Sequence, residues 1–191
     1  MKKMKTDIIL AGVGGQGILS VAAVIGEAAL QDGLYMKQAE VHGMSQRGGD
    51  VQSHLRISDK PIASDLIPLG NVDIIISLEP MEALRYLPYL KKDGWVVTNS
   101  EPFNNIPNYP EYEKVMEAYN NIPNKIIIDI DKIAKELGAP RSANIILLGA
   151  ASPYLNIDFA KLENGIRQIF GRKGEEVVAM NLKALQAGKA N

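Results

Sequence analysis

The 191-residue sequence contains no cysteine, which removes a whole set of chemistries from this chain. Without a thiol, these residues form no disulfide, supply no thiolate nucleophile and hold no cysteine-ligated iron–sulfur cluster. Any such cluster that serves the protein's function is therefore expected on a partner. Histidine is almost as scarce, with only His42 and His54 present. Their spacing matches no metal-ligand motif, so no metal site is expected in the chain.

A strong charge of either sign is also missing. The 21 basic and 22 acidic side chains give a formal net charge of −1. No global field draws such a chain to nucleic acid or to an anionic membrane, and neither is expected as a partner. The basic residues 1–5 precede an apolar run that contains Asp7 and ends at Gly12, too short for a signal sequence or a membrane span. We therefore expect a cytoplasmic location.

Hydrophobic residues make up 46% of the chain, enough for one core, and we expect residues 1–191 to form a single domain. Strand-like runs alternate with helical periodicities, which predicts an α/β fold. Its sheet is expected to be Rossmann-like, doubly wound and mainly parallel, with helices on both faces. The predicted strands cover residues 7–11, 34–40, 51–57, 72–78, 95–98 and 125–130. The predicted helices cover residues 18–30, 81–92, 131–137, 144–151, 159–170 and 175–185. Residues 100–124, rich in proline and asparagine, are expected to be a surface insertion with a helical stretch at 111–119.

The most informative motif lies near the N-terminus, where Gly12-Val13-Gly14-Gly15-Gln16-Gly17 follows an apolar run and precedes an Ala-rich segment of helical periodicity. Strand, glycine loop and helix in this order are typical of a nucleotide-binding crossover. Glycines permit a tight turn and let backbone N–H groups approach a phosphate at the N-terminus of the helix. The spacing alone does not distinguish such a site from a tight strand-to-helix turn without a ligand.

A second loop, Glu40-Val41-His42-Gly43-Met44-Ser45-Gln46-Arg47-Gly48-Gly49-Asp50, gathers charged groups, an imidazole and three glycines. Loops at the carboxyl ends of the strands line the ligand crevice of a doubly wound sheet, so this loop is expected to face the first. We expect Arg47 to hold a phosphate or carboxylate with two hydrogen bonds, and Gly48 and Gly49 to present N–H groups to the same anion. The alternatives are an arginine that only bridges loops and a His42 that is only a polar packing group.

Four further positions are candidates because of the predicted topology alone. Glu40 ends the second strand, near the place where a dinucleotide fold holds its ribose-binding carboxylate. Glu79 and Asn99 follow two later strands, and Arg141 precedes an apolar helix whose N-terminus favours an anion. For Glu40 the alternative is a solvated carboxylate at the end of the strand. For the other three, helix capping or ordinary loop hydrogen bonding is the alternative.

Taken together, the two loop motifs resemble the gamma-type domain of the 2-oxoacid:ferredoxin oxidoreductases. The resemblance extends over nearly the whole chain and is strongest to the branch in which this domain is the separate small subunit of an indolepyruvate-oxidising enzyme. It implies oxidative decarboxylation of an aryl 2-oxoacid to an acyl-CoA, with electrons passed to ferredoxin. Gamma subunits for pyruvate, 2-oxoglutarate or branched 2-oxoacids, and a stand-alone NAD(P)-binding oxidoreductase, are the alternatives that the residues leave open.

The resemblance also implies how the cofactors are divided between subunits. Thiamine diphosphate and the iron–sulfur clusters belong to a large alpha subunit, in agreement with the absence of cysteine here, and this chain alone is expected to be inactive. It is expected to meet ferredoxin, the 2-oxoacid and coenzyme A through the complex, and to supply no catalytic residue. We expect its glycine loops to form an anion-binding or docking surface, with the phosphates of coenzyme A as a candidate ligand. The residues expected to form this surface are Gly12, Gly14, Gly15, Gln16, Gly17, His42, Arg47, Gly48 and Gly49.

Overall fold

The computed structural model describes residues 4–42, 48–104 and 106–191. Within them lie six strands and seven α-helices. The strands are β1 (Lys5–Val13), β2 (Tyr35–His42), β3 (Asp50–Ser58), β4 (Val72–Ser77), β5 (Leu90–Asn99) and β6 (Lys125–Ile128). The helices are α1 (Ile18–Gln31), α2 (Pro80–Arg85), α3 (Tyr112–Ala118), α4 (Ile130–Glu136), α5 (Ala143–Ala151), α6 (Phe159–Phe170) and α7 (Glu175–Lys189). No helix of the described residues combines the length and apolar character that a membrane crossing requires.

The six strands form one sheet in the order β2-β3-β1-β4-β5-β6. Strands β1, β4, β5 and β6 pair in parallel, whereas β3 runs antiparallel to both β1 and β2. The predicted doubly wound α/β fold is confirmed. The position of β3 between β1 and β2 was not predicted. The antiparallel pairing of β2 with β3 follows from their short connection, which is long enough for a hairpin but not for a helical crossover.

Each face of the sheet packs against its own hydrophobic core. The first core joins sheet residues such as Ile8 and Ile74 to helices α1, α4, α5, α6 and α7. The second core joins residues such as Ile9 and Ile75 to helices α2 and α3 and to the buried Ile67. Five helices therefore cover the first face, while two helices of six and seven residues cover the second.

The helix predicted over residues 81–92 is wrong in its second half. The α-helix ends at Arg85, a 3-10 turn follows over Leu87–Tyr89, and β5 begins at Leu90. Pro88 explains the difference, because proline has no N–H to donate within a helix and its ring disfavours a helical conformation at the preceding residue. The apolar spacing that suggested a longer helix instead places Tyr86 in the second core.

Helices α5 and α7 touch backbone to backbone at two glycines. A Cβ atom built on Gly188 would lie 1.8 Å from the carbonyl oxygen of Ile146, and one built on Gly149 would lie 2.1 Å from that of Leu185. The small residues Gly149, Ala150 and Ala151 at the end of α5 make room for this contact. A backbone atom of either helix cannot move aside unless the whole helix moves. The two glycines therefore set the distance between α5 and α7.

Replacing one of these glycines with alanine is expected to separate the two helices. We expect Gly188→Ala to lower the free energy of unfolding by about 2–3 kcal/mol, the usual cost of forcing atoms into a packed core. Urea denaturation followed by circular dichroism measures this change. Gly171→Ala is the matched control, because a Cβ there meets no atom within 4 Å and the residue already has a helical φ of −54°. Equal stability of the two variants would contradict the close contact.

Candidate functional site

A crevice of about 800 Å³ opens at the carboxyl ends of the parallel strands. It lies beside the point where the chain connections leave in opposite directions, from β1 towards β2 and from β4 towards β5. Such switch points are where doubly wound sheets bind ligands. Gly15, Gln16 and Gly17 form one wall, and the ends of β4 and β5 contribute Leu78 and Asn99.

The glycine loop after β1 is held close to its neighbours. Gly17 has a φ of 88°, in the left-handed region that favours glycine, and a Cβ there would lie 2.7 Å from Nδ2 of Asn144. That same Nδ2 donates a hydrogen bond of 3.0 Å to the carbonyl oxygen of Gly17. Gly12 lies behind the loop, where a Cβ would meet the side chains of Gln16 and Ile18 at less than 3.0 Å. Gly12 thus serves the turn, while Gly17 ties the turn to α5.

The two glycine loops meet through their backbones. The N–H of Gly14 donates to the carbonyl oxygen of Gly49 at 2.8 Å, and the N–H of Gly48 donates to that of Gly14 at 3.3 Å. The antiparallel pairing of β1 with β3 makes this possible, because it brings Val13 level with Asp50. The two loops therefore lie at one edge of the sheet, as expected from the sequence.

The side chain of Gln16 is committed to the loop itself. Its Oε1 accepts from the N–H of Val13 at 2.7 Å, and its Nε2 donates to the carbonyl oxygen of Leu78 at 3.2 Å. The amide therefore joins the end of β1 to the end of β4, the two strands that flank the switch point. Gln16 also lines the crevice, but its side-chain hydrogen bonds stabilise the wall.

The N-terminus of α1 presents unmatched donors to this crevice. Within the described part of the chain, the N–H groups of Gly15 and Gly17 have no acceptor. No side chain caps α1, and its first turn carries no acidic residue. By contrast, Glu79, Asp129 and Asp158 cap helices α2, α4 and α6 through their carboxylates. The positive end of the α1 dipole therefore has no anionic cap among the described residues and is available to an external anion.

The opposite wall comes from the C-terminal half of the chain. Arg141 lies just before α5, and Phe170, Lys173 and Met180 come from α6, α7 and the turn between them. The ammonium group of Lys173 lies 5.3 Å from the centre of the Phe170 ring. Glu176 also lines this wall, which therefore combines two cations and one carboxylate with apolar surface. An anionic end of a ligand would fit beside the cations, and an apolar end would fit against Phe170 and Met180. The sequence marked Arg141 as a candidate but gave no functional signal for the other four.

Two polar candidates at the strand ends are structural. The buried carboxylate of Glu79 caps α2 by accepting from the N–H of Glu82 at 2.8 Å, and it accepts hydrogen bonds from the Phe103 N–H and the Tyr109 hydroxyl. Burial raises the pKa of Tyr109, and the carboxylate adds to the effect, so the phenol stays protonated as the donor. Asn99 donates to Asp131 at 3.0 Å. Of the two interpretations of Glu79, a crevice-lining group and a helix cap, the structure supports the helix cap.

The site residues predicted from the second loop are only partly described. His42 ends β2 opposite Val51, and its side chain lies outside the described residues, as does Arg47. Beside this loop, the hydroxyl of Tyr86 donates to the carboxylate of Asp50 at 3.1 Å. Burial raises the pKa of the neighbouring Glu82 carboxyl. The hydrogen bond from Arg85 lowers that pKa, and the negative charge of Asp50 raises it.

The geometry of Glu40 disfavours a dinucleotide site of the usual kind. The strand register pairs Glu40 with Ser53 and Ser53 with Leu10, so Glu40 lies two strands away from β1. That distance is about 10 Å, and β3 fills the place where a ribose-binding carboxylate normally sits beside the glycine loop. Among the described residues, no group of three or more histidine or acidic side chains is arranged to hold a metal ion.

Fold and crevice together define a Rossmann-like α/β domain whose glycine loops meet at the switch point. A family model described as pyruvate ferredoxin/flavodoxin oxidoreductase matches residues 7–190, and the chain belongs to this family. It is a small subunit of a 2-oxoacid:ferredoxin oxidoreductase complex, an arrangement that implies larger partner subunits.

Two curated relatives place the chain within the family. The indolepyruvate oxidoreductase subunit IorB of Archaeoglobus fulgidus is 36% identical over 97% of this chain and 94% of that protein. The common gamma subunit of the pyruvate/ketoisovalerate oxidoreductases of Pyrococcus abyssi is 30% identical over 89% of this chain and 90% of that protein. Both relatives therefore match along almost their whole length.

A solved structure has the same fold. The 2-oxoglutarate:ferredoxin oxidoreductase of Magnetococcus marinus, with 2-oxoglutarate, coenzyme A and succinyl-CoA bound, superposes with a TM-score of 0.75 and 27% identity. The match covers 100% of this chain but only 31% of that one. In that enzyme the equivalent of this chain is thus one part of a longer polypeptide.

The role of Gln16 is testable by removing its amide. We expect Gln16→Ala to lower the free energy of unfolding by about 1–3 kcal/mol, because the N–H of Val13 and the carbonyl of Leu78 both lose a partner. Gln31→Ala is the control, since its side chain makes one long hydrogen bond of 3.5 Å to Glu27. Thermal and urea denaturation of both variants measure the difference. A loss no larger than that of the control would refute the role in the wall.

Proposed function

We propose that this chain is the small subunit of a complex that oxidatively decarboxylates indolepyruvate or related arylpyruvates to acyl-CoA and reduces ferredoxin. The higher identity to an indolepyruvate oxidoreductase subunit than to a pyruvate/ketoisovalerate gamma subunit supports this substrate class. The nearly complete coverage of the IorB relative supports a separate small subunit. The cytoplasm is its expected location.

The chemistry of the cofactors is proposed to belong to the larger subunit. Thiamine diphosphate stabilises the carbanion formed on decarboxylation, and iron–sulfur clusters carry the electrons to ferredoxin. The donor set of this chain does not fit such clusters, because its residues include no cysteine. Its own contribution is therefore to bind and orient a ligand or a subunit, without a catalytic residue.

The crevice is proposed to hold the phosphates of coenzyme A. The main support is the uncapped N-terminus of α1. Gly15 and Gly17 line the crevice, and their N–H groups have no acceptor in the described chain. Arg141 lies on the same crevice and makes no ion pair among the described residues. The apolar surface of Phe170 and Met180 suits the adenine end of the same molecule. Arg47, Gly48 and Gly49 of the second loop are proposed to extend the anion-binding surface.

The substrate class is tested with the assembled complex under anaerobic conditions. We expect ferredoxin reduction to require coenzyme A and to proceed with a higher kcat/KM for indolepyruvate than for pyruvate or 2-oxoglutarate. The same preparation without this chain is the control and is expected to be inactive. A higher kcat/KM for pyruvate or 2-oxoglutarate would assign the chain to another branch of the family.

The anion site is tested with Arg141→Gln in the same complex. Loss of one charged hydrogen bond is expected to raise the KM for coenzyme A by about tenfold, with little change in kcat. Arg172→Gln is the control, because Arg172 is exposed and does not line the crevice. A fall in kcat at constant KM for coenzyme A would contradict a role of Arg141 in binding the ligand.

A further inference from the structure

The connection between β3 and β4 presents large apolar side chains to solvent. Leu69 is 63% exposed and Leu66 is 57% exposed, the highest values among the large hydrophobic side chains of the described residues. Pro68, which lies between the buried Ile67 and Leu69, is exposed as well. We refer to Leu66, Pro68 and Leu69 as the leucine strip. Apolar side chains exposed in a contiguous group mark interaction surfaces.

Hydrogen bonds hold the backbone of this connection in place. Nη1 of Arg56 donates to the carbonyl oxygens of Ser64 at 3.0 Å and Leu66 at 2.9 Å. The N–H of Ile67 donates to Nδ1 of the buried His54 at 3.0 Å.

The guanidinium that anchors the leucine strip is itself fixed. Arg56 forms a bidentate ion pair with the fully buried Asp7, at 2.8 and 3.2 Å. At the far end of the strip, the N–H of Gly70 donates to the carbonyl oxygen of Pro88 at 3.0 Å. The leucines are thus held outward by a fixed backbone, so little conformational freedom is lost when a partner covers them.

Charge is sparse within the connection itself, although Lys37 reaches it from β2 and donates to the carbonyl oxygen of Ala63 at 3.1 Å. Residues 61–71 contain a single charged side chain, Asp65, although most of them are exposed. Depletion of charge with retention of apolar residues distinguishes the centre of protein interfaces from ordinary surface. The strip also lies on the second face of the sheet, the side that only the two short helices α2 and α3 cover.

We propose that the leucine strip docks the larger subunit of the complex, an inference that rests on the proposed function. The Magnetococcus marinus enzyme supports this occupant, because there the equivalent of this chain is 31% of a single polypeptide. A domain that is covalently joined to more than twice its own length in one relative needs a non-covalent interface where it is a separate subunit. The strip supplies apolar surface without charge, which suits an equally apolar surface on that subunit.

The leucine strip and the crevice lie at opposite edges of the sheet. The strip is followed by Gly70, which donates to the carbonyl oxygen of Pro88 just before the start of β5, and then by the start of β4. The crevice is formed at the ends of the same strands, at Leu78 and Asn99. Docking at the strip therefore leaves the glycine loops accessible, and assembly and ligand binding are separable by substitution.

The test measures the affinity of this chain for the larger subunit. The complex is isolated anaerobically through a tagged copy of the chain, the thiamine- and iron-containing subunit is separated, and its Kd for each variant is measured by biolayer interferometry. We expect the double variant L66Q/L69Q to raise the Kd by about tenfold or more. L30Q is the matched control, because Leu30 is 55% exposed at the end of α1, away from the second core. It is expected to change the Kd by less than about twofold.

The outcomes separate this inference from the proposed function. Circular dichroism and thermal denaturation establish that both variants are folded. If wild type and L66Q/L69Q bind the larger subunit equally well, the strip is not the docking surface, and the proposed function is unaffected. If no thiamine- and iron-containing subunit is isolated, the proposed function fails, and this inference fails with it. If the isolated chain dimerises and L66Q/L69Q is monomeric, a second copy covers the strip and the proposed occupant is wrong.

Discussion

The crevice depends on places where the backbone approaches a neighbour so closely that no Cβ atom fits. Gly17 meets the side chain of Asn144 at the start of α5, and further along α5 Gly149 packs against Gly188 of α7. These contacts connect the glycine loop, α5 and α7 in series. Because the loop and α7 form opposite walls of the crevice, its width depends on the Asn144 side chain between Gly17 and α5 and on backbone contacts between α5 and α7.

Electrostatics then distinguishes the N-termini of α1 and α5, which have no side-chain cap, from those of α2 and α4. A buried carboxylate caps the neighbouring α2, and Asp129 caps α4 by accepting from the N–H of Lys132 at 2.8 Å. The end of α1 has no cap and faces a crevice that Arg141 also lines. An uncapped helix end beside a cation lowers the free energy of an anionic group that enters, and this is the physical basis of the proposed binding of coenzyme A phosphates.

Much of the fold was predictable from particular patterns. The mainly apolar residues 72–78, interrupted by Asp73 and Ser77, and the alternation at 51–57 identified β4 and β3, since burial on both faces and on one face leave different periods. The helix predicted over residues 81–92 was wrong because a periodic pattern outweighed Pro88, whose missing N–H ends the helix. The direction of β3 followed from the short connection between β2 and β3. The length of this connection can be read from the sequence, but the hydrophobic pattern of the strands does not indicate their direction.

Some features of the candidate site were predictable from the local sequence, whereas others depend on tertiary packing. The glycines after β1 and the absence of cysteine are local properties, and by themselves they determined a tight turn with accessible N–H groups and excluded cysteine-bound clusters from this chain. Only the tertiary structure decided that the amide of Gln16 bonds within the wall, and that Phe170 and Lys173 form the opposite side. Phe170 and Lys173 are more than 150 positions from the glycine loop, and contacts over such separations arise from packing that no local pattern specifies.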